Sequence, residues 1–277
     1  MAAPRPITTN SFNAVGANQR ATLELPVGRL TYHQIEILYG TGAAGGPTRG
    51  NMESQINDIR VKIGGKTQRE HSAAELFLMN ESRGIEVQDG FLPIFFAEPW
   101  RRSVNGEEAL AWGTADIPDL IIEVDLDSTA NAPTLEARII VTDDPRKLDL
   151  IKKVKRSTVD VTATGTKNVT SLPRTDAYYA LHAISTDIEA VKVIVDQEDQ
   201  WELPDSVARE LYDQNGLTVP AGLTSVIWDY RNRVGDTLDM SKRVNGQVVP
   251  VTEFRVDYEM TAATPFTLLQ ETLGFRD

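Results

Sequence analysis

The sequence predicts an all-β chain made of two similar antiparallel sandwiches, each carrying one short helix. Three observations lead there. Apolar residues recur at every second position in segments bounded by Gly, Pro and Asn. The two helical segments are too short to act as crossovers in a parallel sheet. The order of elements also runs twice along the 277 residues.

Met1 to Phe12 is polar and proline-bearing and reads as an arm ahead of a first strand near Ala21 to Leu25. The first ten residues have no apolar run, so a secretory signal is not expected and the mature protein is expected to start near Met1. Leu25-Pro26 leads through Tyr32, Ile35 and Ile37, and Gly40 to Gly50 reads as an exposed loop. Ile59, Val61 and Ile63 alternate with Arg60 and Lys62, which predicts a strand with one wet face. Ser72 and Glu75 stand at capping-box spacing and open a helix over Ser72 to Asn80 that buries Ala73, Leu76 and Phe77. After a strand at Phe95, the alternating runs Leu120 to Leu126 and Leu135 to Val141 read as a hairpin turning at Asn131 to Pro133.

Asp143-Asp144-Pro145 then opens a connector. It holds the one basic run, Arg146, Lys147, Lys152, Lys153, Lys155 and Arg156, opposed only by Asp149. A solvated linker or subunit contact is the plainer reading of this run, and lipid headgroups or nucleic acid the functional one. The second half repeats the first: Leu172-Pro173, Tyr178, Leu181, a strand at Val191, Val193 and Val195, and a helix over Asp205 to Asn215. That helix is expected to turn Val207, Leu211 and Tyr212 inward and to stop at Gly216. A strand at Val226 to Trp228 and the alternating run Phe254 to Met260 complete it.

The repeat offset is 132 for the strands (193 − 61), 134 for the helices (207 − 73) and 132 for the next strands (227 − 95). Pairing Leu135 to Val141 with Phe254 to Met260 lowers it to about 118 (254 − 136), which puts extra residues of the first copy near Trp100 to Gly113. The expected layout is a sandwich over 1–145, a connector over 146–171 and a second sandwich over 172–277. For β units of this size with Greek-key connections, the simplest form is an eight-stranded jelly roll, giving a double jelly roll. A single large sandwich is the alternative.

Lys+Arg number 28 against Asp+Glu 40, a formal charge of −12 that disfavours nucleic acid and anionic lipid as general partners. There is no cysteine, hence no disulfide, thiolate metal site or thiol nucleophile. Phe91 to Ala97 is the longest apolar stretch and is far too short for a membrane-spanning helix. His33, His71 and His182 lie in no metal-ligand spacing, and no nucleophile elbow or phosphate-binding loop is present. Glu123, Asp125 and Asp127 share one strand face and could supply a glycosidase-like acid pair. With Asp143 and Asp144 they could also bind a structural Ca²⁺ through oxygen ligands, although no EF-hand-like loop is present. Glu123, Asp125 and Asp127 read more simply as the wet side of an amphipathic strand. Trp100, Trp112, Trp201 and Trp228 could stack sugars but fit core or contact positions better. No catalytic, cofactor-binding or metal-ligating residue is therefore expected, and the protein is not expected to be an enzyme.

The order of certain pieces resembles the major capsid protein of corticoviruses, the lipid-containing icosahedral bacteriophages. In the first half the pieces are Leu25-Pro26-Val27-Gly28 before Tyr32 and Ile35, Ile59 to Ile63 before Gly64-Gly65, Phe95-Phe96-Ala97-Glu98-Pro99, and Ala109 to Thr114. In the second they are Leu172-Pro173-Arg174, Tyr178 to His182 with Ile184, and Asp196 to Trp201. The resemblance implies two upright jelly rolls per chain and a homotrimer that forms a pseudo-hexagonal capsomer over an internal membrane. It implies neighbouring capsomers, vertex proteins and minor membrane-associated virion proteins as partners, assembly in the host cytoplasm and residence in the virion. It also implies a use of calcium, without ligand positions in this chain. Deleting the expected arm should then leave trimers and impair lattice closure. Two rival functions remain: an extracellular glycan-binding or glycan-cleaving sandwich, and a trimeric viral receptor-binding protein.

Overall fold

The computed structural model describes residues 3–9, 11–101, 103–244 and 247–277. The chain divides into two compact units. Unit 1 comprises Met1–Glu81, Ile85–Val154 and Phe275–Asp277, and unit 2 comprises Ser82–Gly84 and Lys155–Gly274.

The first unit contains β1 (Arg5–Thr8), β2 (Arg20–Glu24), β3 (Thr31–Gly40), α1 (Arg49–Gln55), β4 (Ile56–Ile63), β5 (Lys66–His71) and α2 (Ala73–Ser82). It continues with β6 (Phe91–Phe95), α3 (Val104–Glu108), β7 (Trp112–Gly113), β8 (Ile121–Leu126) and β9 (Thr134–Thr142). One sheet runs β1-β9-β3-β6 with β7 added to β3, and the other runs β5-β4-β8-β2. Between them lie the buried residues of the alternating strands, among them Ile35, Ile37, Val61, Ile122, Val124 and Ile139. Many outward residues of the same strands are charged, among them Glu36, Arg60, Lys62, Glu123, Asp125 and Arg138, so the period of two assigns each strand its faces.

β10 (Ile151–Val159) counts with unit 1 up to Val154 and with unit 2 from Lys155; the second unit continues with β11 (Gly165–Val169), β12 (Ala177–Ile184), β13 (Ile188–Val195), β14 (Glu198–Pro204), α4 (Asp205–Asp213) and β15 (Leu223–Ile227). β16 (Ser241–Val244), β17 (Gln247–Pro250), β18 (Phe254–Met260) and β19 (Phe266–Gly274) follow. Its sheets run β10-β19-β12-β15 and β11-β18-β13-β14. Strand for strand this is the order of unit 1, with β1 replaced by β10, β2 by β11, β3 by β12, β4 by β13, β5 by β14, β6 by β15, β8 by β18 and β9 by β19. Each unit is an eight-stranded jelly roll, and the chain is a double jelly roll.

The duplication extends to single hydrogen bonds. The Tyr32 hydroxyl donates to the Pro26 carbonyl at 2.7 Å, and the Tyr178 hydroxyl donates to the Pro173 carbonyl at 2.7 Å. Both rings are fully buried, and burial pushes both phenols well above their ordinary range. The two Leu-Pro…Tyr phrases of the sequence are thus one device used twice, tying the chain entering β3 or β12 to the strand itself. At α2 the expected capping box is complete: the Glu75 amide donates to Ser72 Oγ at 3.2 Å and the Ser72 amide to Glu75 Oε2 at 2.7 Å.

Several expectations change. Residues 120–126 and 135–141 do not form a hairpin: β8 pairs with β2 and β4, whereas β9 pairs with β1 and β3 in the facing sheet. Facing strands of a sandwich show the same alternation as neighbouring ones, so the pattern could not separate the two cases. The true counterparts are β8 with β18 and β9 with β19, at offsets of 133 (254 − 121) and 132 (266 − 134). No extra residues therefore fall at Trp100 to Gly113. The offset is instead 146 from β3 to β12 (177 − 31) and 132 from β4 to β13 (188 − 56), which places the insertion of unit 1 between β3 and β4. There the Gly-rich stretch ends in α1, N-capped by Thr48, which accepts from the Asn51 amide at 3.4 Å.

The Met1 to Phe12 segment is not simply an arm. Arg5–Thr8 is β1, in register with Arg138–Val141 of β9, and Arg5 pairs with Asp143 at 2.9 Å; Met1, Ala2 and Asn10 lie outside the described residues. Residues 146–171, expected as a connector, carry β10 and β11, and Lys152 and Lys153 of the basic run are buried. In α4, Val207 is 45% exposed, and the inward face is formed by Ala208 and Tyr212.

Candidate functional surface

The acidic strand face is neutralised by its neighbours. Arg20 on β2 meets Asp125 at 2.6 Å, Arg60 on β4 meets Asp125 at 2.7 Å, and Lys62 meets Glu123 at 2.9 Å. Burial raises the Asp125 carboxyl, but its hydrogen bonds to Arg20 and Arg60 outweigh this and hold it below the ordinary carboxylate value. Asp127 stands apart. It accepts from the Thr129 amide and hydroxyl, both at 2.8 Å, and from Asn57 at 3.1 Å, so its carboxyl is lowered to about 2. That is the chemistry of a turn clasp between β8 and β9, and no acid pair spans a cleft here. Asp143 and Asp144 are taken by Arg5 and Arg146. Among the described residues no three His, Asp or Glu side chains converge as metal ligands.

The histidines are buried in separate places. His33 Nε2 lies 3.2 Å from the Thr142 hydroxyl, and burial lowers its pKa; His182 Nδ1 lies 2.8 Å from the Ser225 hydroxyl. Of the tryptophans, Trp112 is fully buried against Phe96, and Trp201 stacks on Tyr212 with centroids 6.1 Å apart. Trp112 belongs to the core of unit 1 and Trp201 packs, partly buried, against that of unit 2, so the two form no shared exposed platform.

What the sequence did not reveal is a set of buried ions. In unit 1, Glu98 receives Arg101 at 2.6 Å and also Lys152, all three almost without solvent contact. Lys153 donates to the Phe275 carbonyl and to Asp277 Oδ1, both at 2.9 Å. In unit 2, Arg83 meets Asp229 at 2.9 Å and Glu271 at 3.3 Å. The signal for these was weak, because single charges next to apolar residues look like strand surfaces until their partners are known. Two of the six residues of the basic run, Lys152 and Lys153, are therefore interior.

The exposed features are strand ends and loops. The most prominent is the β16–β17 ribbon, a two-stranded sheet of its own in unit 2. Its base is tied by Lys242 to Asp196 at 2.5 Å, and Asp196 also accepts the Thr252 amide at 2.7 Å and the Glu253 amide at 2.9 Å. The Asn245-Gly246 dipeptide is the sequence signal that could have found this hairpin.

With a duplicated jelly roll and no assembled reactive centre among the described residues, the comparisons with known proteins fall into place. The chain is similar in structure to the major capsid protein P2 of bacteriophage PM2, with a TM-score of 0.87 and 19% identity over 99% of this chain and 98% of that one. It is also similar to the STIV MCP (TM-score 0.70, 10% identity, 99% and 97% covered) and to the Faustovirus major capsid protein (TM-score 0.63, 8% identity, 99% and 90% covered). No curated protein matches it in sequence. The model of the viral coat protein P2 N-terminal domain matches residues 6–142 and that of the P2 C-terminal domain matches residues 151–274. Together these two models cover both jelly rolls, and the chain belongs to the viral coat protein P2 family.

Proposed function

We propose that this coat protein is the major capsid subunit of an icosahedral virus with an internal membrane, and that it works as a homotrimer forming a pseudo-hexagonal capsomer. The observation that carries the reading is the strand-for-strand duplication: three chains with two alike sandwiches each supply six alike lattice contacts from one gene. Lateral contacts to neighbouring capsomers, vertex proteins and minor membrane-associated proteins complete the shell, assembled in the host cytoplasm. The reading requires no catalysis and no cofactor, and at a formal charge of −12 it involves no sequence-specific nucleic acid. Light scattering coupled to size exclusion tests it. The capsomer predicts about 92 kDa, three times 30.6 kDa. A monodisperse species of 30.6 kDa at working concentration overturns it.

A further inference from the structure

The β16–β17 ribbon is under-supported by its own chain. An isolated two-stranded ribbon is marginal in water, yet Lys242, Arg243, Gln247, Val248 and Pro250 are all exposed, Val248 by 63%. Residues 241–250 contain two ionisable side chains, Lys242 and Arg243, in a chain that is otherwise strongly acidic. Lys242 is engaged with Asp196, whereas Arg243 makes no ion pair among the described residues. The ribbon forms a separate sheet and does not extend β14 of its own chain.

β14 offers the complementary surface. It is the edge strand of its sheet, and it carries Glu198, Asp199 and Glu202 with no basic residue. The Asp199 and Glu202 side chains are 49% and 63% exposed and share one cation, Lys192, at 2.8 and 3.2 Å. Glu198 is exposed and makes no ion pair among the described residues. Exposed strand edges of this kind accept a further strand readily. Because Lys242 bonds Asp196, two residues before β14, the basic ribbon and the acidic edge occupy one end of unit 2. A contact between two different patches is heterologous and closes as a ring where the rotation from copy to copy closes.

We propose that the β16–β17 ribbon of one copy lies along β14 of the next, with Arg243 against the acids of that edge and Val248 covered, as the ring contact of the assembled subunit. The proposal rests on the capsomer reading. The chain has no cysteine, so single cysteines report contacts cleanly. V248C and E198C proteins, mixed and mildly oxidised, are expected to give a disulfide-linked pair on a non-reducing gel that neither gives alone. A V248C homodimer, or no cross-link in a sample whose scattering mass is that of the trimer, overturns the ribbon contact and leaves the capsomer reading standing. A monomeric mass for the unmodified protein overturns both. R243E is expected to raise the trimer dissociation concentration at least tenfold, with E198R in the same chain restoring it; a dissociation curve for R243E matching that of the unmodified protein overturns the contact.

Discussion

Unit 1 and unit 2 share a strand order, a core pattern and the tyrosine hydrogen bond at the entry to β3 and β12, but they differ in what each adds to that frame. Unit 1 places its insertion between β3 and β4, where α1 follows the Gly-rich loop. Unit 2 closes the matching connection with three residues, 185–187, and instead raises the β16–β17 ribbon ahead of β18. Their buried ions also sit differently: Glu98 with Arg101 and Lys152 in one, Arg83 with Asp229 and Glu271 in the other. The frame is constrained because every second residue must fill the space between two sheets about 10 Å apart. Loops and charges answer to no such repeat, so they are where two copies of one fold can take different tasks.

The sharpest probe of this contrast is Arg83→Met. It removes the guanidinium that meets Asp229, fully buried, and Glu271 in unit 2 while leaving the ion cluster of unit 1 intact. The expected cost is about 3–5 kcal/mol, read as a urea transition of unit 2 that moves ahead of that of unit 1. A single unshifted transition would show that the charges are dispensable. Next, Tyr32→Phe and Tyr178→Phe each remove one hydroxyl-to-carbonyl bond. Each should lose about 1–2 kcal/mol in chemical denaturation, and nearly the same amount if the two corners are equivalent; a gap above about 1 kcal/mol would break the parallel.

A smaller effect separates the helices. Ser72→Ala should cost about 1 kcal/mol, because Ser72 closes a reciprocal box at α2. α4 begins at Pro204 with no side-chain cap, so Pro204 has no such bond to lose. The least effect, and the most specific, is in pH. Asp127 in unit 1 has its carboxyl lowered to about 2, first by the Thr129 amide, and Asp196 in unit 2 is lowered further, first by Lys242. For a lowered carboxyl the stabilisation is present in full above the unfolded value near 4 and fades as pH falls through the folded one. Asp127→Asn should therefore lower the melting temperature at pH 7 and match the unmodified protein by about pH 2. Asp196→Asn should still show a deficit there. Parallel curves across that window would remove the assignment.

Much of the frame was legible in the sequence, and particular residues show why. Ile59, Val61 and Ile63 against Arg60 and Lys62 fix both the strand and its inward face, and Ser72 with Glu75 fixes the start of α2. What alternation cannot state is which strands are neighbours. Leu120 to Leu126 and Leu135 to Val141 carry the same code whether they lie side by side or face to face, and the hairpin error displaced the insertion from residues 41–55 to residues 100–113. The basic run misled for a different reason. Lys152 and Lys153 read as solvated until Glu98 and Asp277, far away in sequence, are brought to them. As for a reactive site, the sequence offered only Glu123, Asp125 and Asp127 as an acid pair. The cross-strand arginines and lysine that neutralise Glu123 and Asp125 come from β2 and β4, which a reading of one strand cannot see.

The compact units also trade short pieces of chain: Ser82–Gly84 counts with unit 2, and Phe275–Asp277 counts with unit 1. For a polypeptide emerging from a ribosome this sets an order of completion. The first jelly roll waits for residues 275–277 to meet Lys153, and Arg83, made early, waits for Asp229 and Glu271. A product that stops before residue 229 lacks the carboxylates that Arg83 meets, and one that stops at residue 274 lacks the Phe275 and Asp277 groups that Lys153 meets, so incomplete subunits should be open to proteases before they can enter a shell. Pulse-labelled fragments ending at residue 274 that resist digestion as well as the 277-residue chain would refute this.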